Sequence, residues 1–376
     1  MDKAPTFEEN YKEKLKHLEE KIKFLENENK LQKDYITSLK EQIILLKEKL
    51  QIKKENTNPF NQNNEVKTLN NLFISEREPI HFMSKYHSNH IYCIAILKNK
   101  RLVSGGYDSK IIVYDKNYNH PDLEINEHSS AVTSLIVASN GNLISSSCDK
   151  TLKIFKIEEN NNKSGLNLNY YLLQTINTTH SNNIIHVREL SSYKLVSCSL
   201  DTQLNFYVPQ NNNYSLEITI DVPKSVYDFI EILNDQLVIS LADSLQLFNI
   251  KNRKFIKELK EIFCYTEWVN NCLCLLNQNY LAVCGNSYIY VIDLVQFKLL
   301  NKINTNSNNI SICYSNGRLF VGTNNGMIQE YKVDEMNLSK ISFKEKCHQN
   351  YIWQILIDDE GNLISCSHDN YIKIWN

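Results

Sequence analysis

The sequence predicts an all-β, seven-bladed propeller preceded by a long α-helical coiled coil. Residues 1–55 repeat apolar residues with a seven-residue period, which is typical of coiled coils. Later in the chain, polar residues recur about every 42 residues, which is typical of a closed radial array of four-stranded units. Composition separates the two regions, since residues 1–55 carry 25 charged residues and the other 321 carry 59. We therefore expect a coiled coil at 1–55, an asparagine-rich flexible linker at 56–76 and a propeller at 77–376.

The N-terminal segment has the residue pattern of a parallel two-stranded coiled coil. With Leu15 at heptad position a, nine of the eleven a and d positions up to Leu50 are aliphatic. Isoleucine at a with leucine at d favours two parallel helices, and the single Asn29 at a selects register and oligomer number. The expected dimerisation residues are Leu15, Leu18, Ile22, Leu25, Asn29, Ile36, Leu39, Ile43, Leu46 and Leu50.

The charges beside this apolar seam favour a homodimer. Each g position faces the next e position across a parallel dimer, and the pairs Lys14–Glu19, Lys21–Glu26 and Glu28–Lys33 are all opposite in sign. A coiled coil with a different chain and a single solvated helix are the two alternatives. A single helix would show a 3.6-residue period, whereas this pattern keeps its seven-residue phase for five heptads.

Four copies of a polar pattern mark the repeat. In each copy, a histidine is followed by a serine after 17 residues, an aspartate after 21 and an aromatic residue after 27. The sets are His87/Ser104/Asp108/Tyr114, His128/Ser145/Asp149/Phe155, His180/Ser197/Asp201/Tyr207 and His348/Ser365/Asp369/Trp375. Between His180 and His348 lie three degenerate copies, which end at 237–248, 281–292 and 319–331. Short apolar runs separated by turns such as Asn316-Gly317 predict four strands per copy, so we expect seven such units.

This pattern resembles the WD40 β-propeller family over about residues 77–376. In that family the histidine, serine, aspartate and aromatic residue form a buried hydrogen-bonded network, so the resemblance implies four structural networks here. Phe155 cannot hydrogen-bond, and blades 4 to 6 lack the histidine, with Asp243 the one aspartate kept. The sequence ends after the third strand of blade 7, so we expect Pro79–Tyr86 to supply its outer strand and close the ring.

No motif in the sequence predicts an enzyme, a cofactor or a metal site. A serine, a histidine and an aspartate occur together four times, but a catalytic triad is needed once, whereas a structural network recurs with the fold. The cysteines lie in apolar runs, and Cys272-x-Cys274 has no second pair that would complete a metal site. In the linker, Asn58-Pro59-Phe60 matches a tripeptide bound by EH domains of endocytic adaptors, and so short a match also arises by chance.

Charge and hydropathy argue against two classes of partner. The formal net charge of −2 does not favour nucleic acid or an anionic membrane as the main partner. No stretch approaches the roughly 18 apolar residues of a membrane-spanning helix, and residues 1–10 lack the apolar core of a signal peptide. We therefore expect a cytoplasmic or nuclear protein with no nucleic-acid partner and no membrane insertion.

The expected partner site lies on the rim that carries the histidine and aspartate loops, which the resemblance implies is often used for binding. The resemblance also implies that three positions per blade point there: the third and fifth residues after the histidine, and the residue before the aspartate. Blades 7 and 1 place six rings at these positions, and blades 4 and 5 add two more. These candidates are His90, Tyr92, Tyr107, Tyr227, Trp268, Tyr351, Trp353 and His368. Exposed aromatic clusters are typical of protein-binding surfaces, the alternative being rings packed against neighbouring loops.

The sequence as a whole predicts a non-catalytic scaffold or adaptor that dimerises through its coil and binds other proteins, as a peptide or a loop, on the propeller rim. A second resemblance is to the G-protein β subunit, which also has an N-terminal helix, seven blades and an ending like Lys373-Ile-Trp-Asn376. The helix of that family pairs with a different chain, and the longer heptad run, Asn29 and the linker count against it. A third resemblance is to the coiled-coil propeller adaptors of autophagy, whose N-terminal docking helix is not evident in residues 1–10.

Overall fold

The structure describes the C-terminal part of the chain, between residues 74 and 375. The computed structural model describes residues 74, 77, 79–84, 86–118, 120–162, 165–210, 213–233, 235–260, 262, 272–334 and 337–375. All of them belong to the second of the two units into which the chain divides, Leu69–Asn376. The predicted coiled coil at 1–55 with its ten dimerisation residues, and the tripeptide Asn58-Pro59-Phe60, lie outside the described residues.

The described residues form seven antiparallel sheets of four strands, which confirms the predicted seven-bladed propeller. The first strand, β1, is Pro79–Ser84. Blade 1 contains β2 (Ile91–Ile96), β3 (Leu102–Gly106), β4 (Ile111–Tyr114) and β5 (Pro121–Ile125). Blade 2 contains β6 (Val132–Val137), β7 (Leu143–Ser147), β8 (Thr151–Asn162) and β9 (Gly165–Asn177). Blade 3 contains β10 (Ile184–Glu189), β11 (Leu195–Ser199), β12 (Gln203–Gln210) and β13 (Asn213–Asp221).

The three middle blades have the same order despite their degenerate sequences. Blade 4 contains β14 (Val226–Ile232), β15 (Gln236–Leu241), β16 (Ser244–Asn249) and β17 (Lys254–Lys260). Blade 5 contains β18 (Leu273–Leu275), β19 (Tyr280–Gly285), β20 (Tyr288–Asp293) and β21 (Lys298–Asn304). Blade 6 contains β22 (Asn309–Ser315), β23 (Arg318–Thr323), β24 (Ile328–Asp334) and β25 (Asn337–Lys344). Blade 7 contains β26 (Ile352–Ile357), β27 (Leu363–Ser367) and β28 (Tyr371–Trp375), and its fourth strand is β1.

The amino-acid sequences of the second strands explain why these strands are buried on both faces. The second strands of blades 2, 3 and 7 read LISSS, LVSCS and LISCS, and all of their residues are buried. A strand enclosed on both faces reads as a continuous run of apolar and small residues rather than an alternating one. At the turn between β22 and β23, Asn316 and Gly317 have φ of 50° and 78°, which is the two-residue turn that matches the twist of a hairpin.

The ring closes as predicted, because β1 pairs antiparallel with β28 from Pro79↔Trp375 to Ser84↔Tyr371. Blade 7 is therefore assembled from both ends of the propeller sequence. This pairing leaves blade 7 with the same number of strands as the other six blades. It also makes blades 1 and 7 neighbours, although they are the most distant blades in the sequence.

The predicted linker boundary at residue 76 is wrong, because Ile74, inside the predicted linker, already packs in the core of the propeller. Ile74 is fully buried in a core cluster that includes Phe320 and Trp375. The Ile74 amide donates a 2.7 Å hydrogen bond to the buried Glu330 carboxylate. Arg77 is 4% exposed, and its guanidinium donates to the carbonyl oxygen of Gly361. A buried side chain with a buried hydrogen bond is part of the fold, so the linker ends before Ile74.

We predict that Ile74→Ala lowers the free energy of unfolding by about 2–4 kcal/mol, because it removes a fully buried side chain and leaves a cavity. Urea denaturation of the full chain measures this change. Leu233→Ala is the matched control, since Leu233 is 58% exposed and its truncation should change stability by less than about 0.5 kcal/mol. Equal effects of the two substitutions would contradict the proposed anchoring role of Ile74.

Candidate protein-interaction surface

The four polar sets predicted from the repeat come together in the structure as chains of hydrogen bonds. In blade 7, His348 Nδ1 lies 3.0 Å from Asp369 Oδ2 and His348 Nε2 lies 2.8 Å from Ser365 Oγ. Trp375 Nε1 donates to the same Ser365 Oγ at 3.0 Å. The Asp369 carboxylate also accepts from the backbone amide of Gln349, so it fixes the loop that enters the blade.

The same geometry recurs in blades 1, 2 and 3. The histidine Nδ1 lies within 2.8 Å of Asp108, 2.7 Å of Asp149 and 3.0 Å of Asp201. The histidine Nε2 lies within 2.8 Å of Ser104, 2.6 Å of Ser145 and 2.8 Å of Ser197. The tyrosine hydroxyls of blades 1 and 3 extend the chain, with Tyr114 at 3.0 Å and Tyr207 at 3.4 Å from the serine oxygen. Blade 2 has Phe155 at this place, so its chain ends at the serine.

The direction of these bonds follows from the chemistry of the groups. An ionised carboxylate only accepts, so His348 Nδ1–H donates to Asp369, and Nε2 of a neutral imidazole accepts from the Ser365 hydroxyl. The Trp375 indole donates to that hydroxyl oxygen, which completes a chain with one direction throughout. The Ser365 hydroxyl thus donates one hydrogen bond, to His348, and accepts another, from Trp375. All four network serines are fully buried, so none of these hydroxyls reaches a substrate in solvent.

Burial sets the charge state of several histidines. It lowers the pKa of His348 and of His180, and the partner aspartates oppose this effect only in part. Burial would raise the pKa of Asp369, but hydrogen bonds from His348 and the local backbone lower it below its usual value. His186, on the inner strand of blade 3, is 3% exposed, and burial lowers its pKa to about 4. These three histidines are therefore neutral in the folded protein at pH 7.

One of the three candidate positions, the fifth residue after the histidine, lies at a bulge in the first strand of its blade. In blade 1 the pairing of β2 with β3 shifts register between Ile91 and Cys93, so Tyr92 stands outside the ladder. In blade 7 the pairing of β26 with β27 shifts between Ile352 and Gln354, which sets Trp353 apart in the same way. A bulge re-aims one side chain while the strand continues. Equivalent shifts at the fifth position occur in blades 2, 3, 4 and 6 and set apart Thr133, Ile185, Tyr227 and Ile310.

A backbone hydrogen bond brings the other two candidate positions of each blade together. The Tyr107 amide donates to the His90 carbonyl oxygen at 2.8 Å in blade 1. The His368 amide donates to the Tyr351 carbonyl oxygen at 3.0 Å in blade 7. The residue before the aspartate and the third residue after the histidine are therefore adjacent in both blades.

Six rings of blades 1 and 7 form one continuous cluster across the closure of the ring. We call this cluster the 7/1 surface, and its members are His90, Tyr92, Tyr107, Tyr351, Trp353 and His368. Tyr92 packs edge-on against Trp353 with ring centroids 5.2 Å apart, and the rings of His90 and His368 stack at 3.2 Å. Tyr107 lies 5.8 Å from His90 and Tyr351 lies 5.7 Å from His368. Edge-on pairs such as Tyr92 with Trp353 are favourable contacts between aromatic rings.

The expectation that all of these rings are exposed is wrong for three of them. Tyr92, Trp353 and Tyr227 are 8%, 2% and 8% exposed, and Tyr92 and Trp353 belong to a buried core cluster. Tyr107 and Tyr351 do face solvent, at 53% and 36%. Tyr227 belongs to blade 4, far around the ring from the closure, so it is not a member of the 7/1 surface. Trp268 lies outside the described residues.

Polar groups within the 7/1 surface are incompletely paired. His90 Nδ1–H donates to the His368 carbonyl oxygen at 2.8 Å, which joins the two blades. His368 Nδ1 and Trp353 Nε1 are buried and have no hydrogen-bond partner within the described structure. Burial and the nearby His90 lower the pKa of His368. A buried polar atom gains free energy when a hydrogen-bond partner reaches it, and both of these nitrogens lie within the 7/1 surface.

Two residues of neighbouring blades pack against the buried rings of the surface. Ala131 is the third residue after His128, a rim position that the sequence indicates, whereas sequence reasoning missed Ile310. Ala131 and Ile310 belong to the buried cluster that contains Tyr92 and Trp353. Ile310 comes from blade 6, which has no network histidine from which to count. Ile310 is set apart by the register shift between Asn309 and Ser311. Only the structure shows this shift, so the amino-acid pattern could not have identified Ile310. The neighbouring blades therefore hold the rings in place.

Comparison with known families agrees with this architecture. Residues 78–115, 120–156 and 339–376 match the WD40 family described as WD domain, G-beta repeat. Three segments of the propeller, in blades 1, 2 and 7, are therefore similar to WD40 repeats. WD40 propellers are typically non-enzymatic scaffolds that bind other proteins. A comparison with curated proteins finds no match.

The described residues offer neither a cluster of metal ligands nor a membrane-spanning helix. Within them, no group of three or more histidine, cysteine, aspartate or glutamate residues is placed to hold a metal ion. No helix among them is sufficiently long and apolar to cross a membrane. The 7/1 surface is thus the strongest candidate site that the described residues offer.

We predict that the propeller loses stability as the pH falls from 7 to 5. Histidines that stay neutral when folded take up protons when unfolded, at an ordinary pKa near 6.5, so acid favours the unfolded chain. His186, with its pKa of about 4, contributes roughly 1–2 kcal/mol of this loss by pH 5. Urea denaturation at several pH values measures the slope. His186→Gln should flatten it and His120→Gln, at an exposed histidine, should not; a wild-type profile without slope would contradict the argument.

Proposed function

We propose that the protein is a non-catalytic scaffold that binds partner proteins at the 7/1 surface. The observation that supports this most directly is the contiguity of six rings from the two blades that meet at the closure. Rigid aromatic side chains concentrate binding energy at protein interfaces, because they bury large areas while losing few rotatable bonds. Tyr107 and Tyr351 offer the solvent-facing rings of this cluster, and Tyr92 and Trp353 form its floor.

The unpaired nitrogens indicate the chemistry of the partner. Trp353 Nε1 can only donate a hydrogen bond, so a partner group that pairs with it must present an acceptor, such as a carbonyl or carboxylate oxygen. Because Trp353 is 2% exposed, this contact requires the neighbouring rings to move aside when the partner binds. A peptide or loop that lays its backbone or an acidic side chain across the rings would supply that oxygen. The aromatic rim would then provide the apolar contact area around it.

We further propose that the heptad segment at 1–55 joins two copies of the protein as a parallel dimer. The support is the sequence: nine aliphatic residues in eleven a and d positions, with one asparagine at a. Two linked propellers bind a clustered or repeated partner with an avidity above the affinity of either alone. The linker up to Ile74 would set the reach between them.

We predict that Tyr107→Ala and Tyr351→Ala each weaken partner binding at least ten-fold, as expected for exposed ring anchors. An affinity pull-down with quantitative mass spectrometry compares the proteins captured by the wild-type chain and by the variants. Trp353 is unsuitable as a probe, because its truncation also removes buried packing.

The control for this experiment is Tyr193→Ala. Tyr193 is 60% exposed and lies in the turn between β10 and β11, at the opposite end of the strands from the network histidines. Tyr193→Ala should capture the same proteins as wild type. All three variants should melt at the wild-type temperature, and equal capture by all of them would refute the proposed binding surface.

For the coiled coil, we predict that the double substitution Leu25→Lys and Leu39→Lys converts the dimer into a monomer. At low concentration the sedimentation mass of this variant should be half that of the wild-type protein. Charges at two d positions oppose burial of the seam between helices. Sedimentation equilibrium measures the mass. Ser38→Lys, at position c outside the seam, is the control and should retain the wild-type mass. A wild-type chain that sediments as a monomer would overturn the dimer.

A further inference from the structure

The outer strand of blade 2 differs from the other outer strands in length. Strand β9 spans 13 residues, whereas the outer strands of the other blades span between five and nine. Beyond a bulge at Leu173, it pairs with β8 without interruption from Phe155↔Leu172 to Asn162↔Gly165, next to the turn of the hairpin. On its other side, β9 has no strand partner within the described structure. A long row of backbone amide and carbonyl groups thus lies at the edge of this blade.

Strand β9 also lacks the residues that usually prevent edge-to-edge pairing. Its sequence GLNLNYYLLQTIN contains no charged residue and no proline. Natural edge strands are protected by lysines, other charges or proline, since an open strand edge pairs readily with another strand. Each of the other six outer strands in the described propeller has such a residue: Pro79 in β1, Asp122 in β5, Glu217 in β13, Lys257 in β17, Lys298 in β21 and Lys340 in β25.

Apolar side chains accompany this unprotected edge. Tyr171, Leu172 and Leu173 are consecutive and are 48%, 38% and 41% exposed. Tyr171 and Leu172 pair with Lys156 and Phe155, while Leu173 is the extra residue of a bulge. Three exposed large apolar residues in a row place apolar surface on both faces of the strand edge.

The base of the hairpin is held in place by its neighbours on both sides. The Gln174 side-chain amide makes two 2.7 Å hydrogen bonds, one to the carbonyl oxygen and one from the backbone amide of Tyr214 in blade 3. Glu159 in β8 accepts a 2.9 Å hydrogen bond from the buried Arg101 in blade 1. Because the strand is already extended and fixed, pairing with another strand requires little further ordering.

We propose that β9 is a self-association edge, at which β9 of a second copy of this chain pairs antiparallel to form a continuous eight-stranded sheet. Antiparallel pairing of identical strands is related by a twofold axis, so one edge serves both copies. Because β9 contains no charged residue, this pairing opposes no like charges in any register. The same pairing of β17 would bring Lys254, Lys257 and Lys260 toward one another.

The experiment separates this contact from the coiled coil. Full-length protein carrying Leu25→Lys and Leu39→Lys serves as the background, so that the heptad seam does not contribute. In this background we expect the sedimentation mass to rise from monomer to dimer between about 1 and 100 µM. Adding Tyr171→Lys and Leu173→Lys should keep the chain monomeric over that range. Adding Ile256→Lys in β17, whose side chain is 44% exposed, should leave the association unchanged.

A second measurement locates the contact. In the same background, Leu172→Cys and Ile256→Cys are treated with a short bifunctional maleimide, and the cross-linking of unsubstituted background protein is subtracted. We expect Leu172→Cys to give at least five-fold more covalent dimer than Ile256→Cys. The proposal is overturned if the background protein stays monomeric at about 100 µM. It is also overturned if the lysine pair in β9 leaves association unchanged, or if the two cysteine variants cross-link equally.

Discussion

The pairing of β1 with β28 is the constraint on which the rest of the structure depends. It completes blade 7 and makes that blade a neighbour of blade 1. The stacked rings of His90 and His368, and the 2.8 Å bond from the Ile94 amide to the Gln354 side chain, exist only because the ring is closed there. The proposed binding surface is therefore a product of closure, and a propeller with an open ring would not present it.

In blades 1, 2, 3 and 7, the buried chains of hydrogen bonds fix the position of the loops, which apolar packing alone would not fix. Each aspartate accepts hydrogen bonds from the loop that enters its blade, and each histidine connects that carboxylate to a serine in the middle of the sheet. Every group in such a chain has a partner, so the cost of burying it is offset by a unique arrangement of loops and strands. The loops held in this way are those that carry the ring residues of the rim.

The sequence was sufficient to predict the number of blades and the closing strand, because a network that recurs at constant spacing records the period of the fold. It did not predict which rings are exposed. Tyr92 and Trp353 are buried because a register shift turns them beneath the rim, and nothing in the residues flanking them signals a bulge. It also placed Ile74 in the linker, since the surrounding asparagines outweighed the short apolar run Leu72-Phe73-Ile74. Contacts made far along the chain, to Glu330 and Phe320, decide its burial.

The anchoring of Ile74 has a mechanical consequence. A pulling force applied to the chain ahead of the propeller would act first on the buried Ile74 side chain, its bond to Glu330 and the Arg77 contact with Gly361. Only after these yield would tension reach Pro79, where β1 begins to peel from β28. These contacts would therefore shield the β1–β28 pairing, which closes the ring, from a force applied ahead of Ile74.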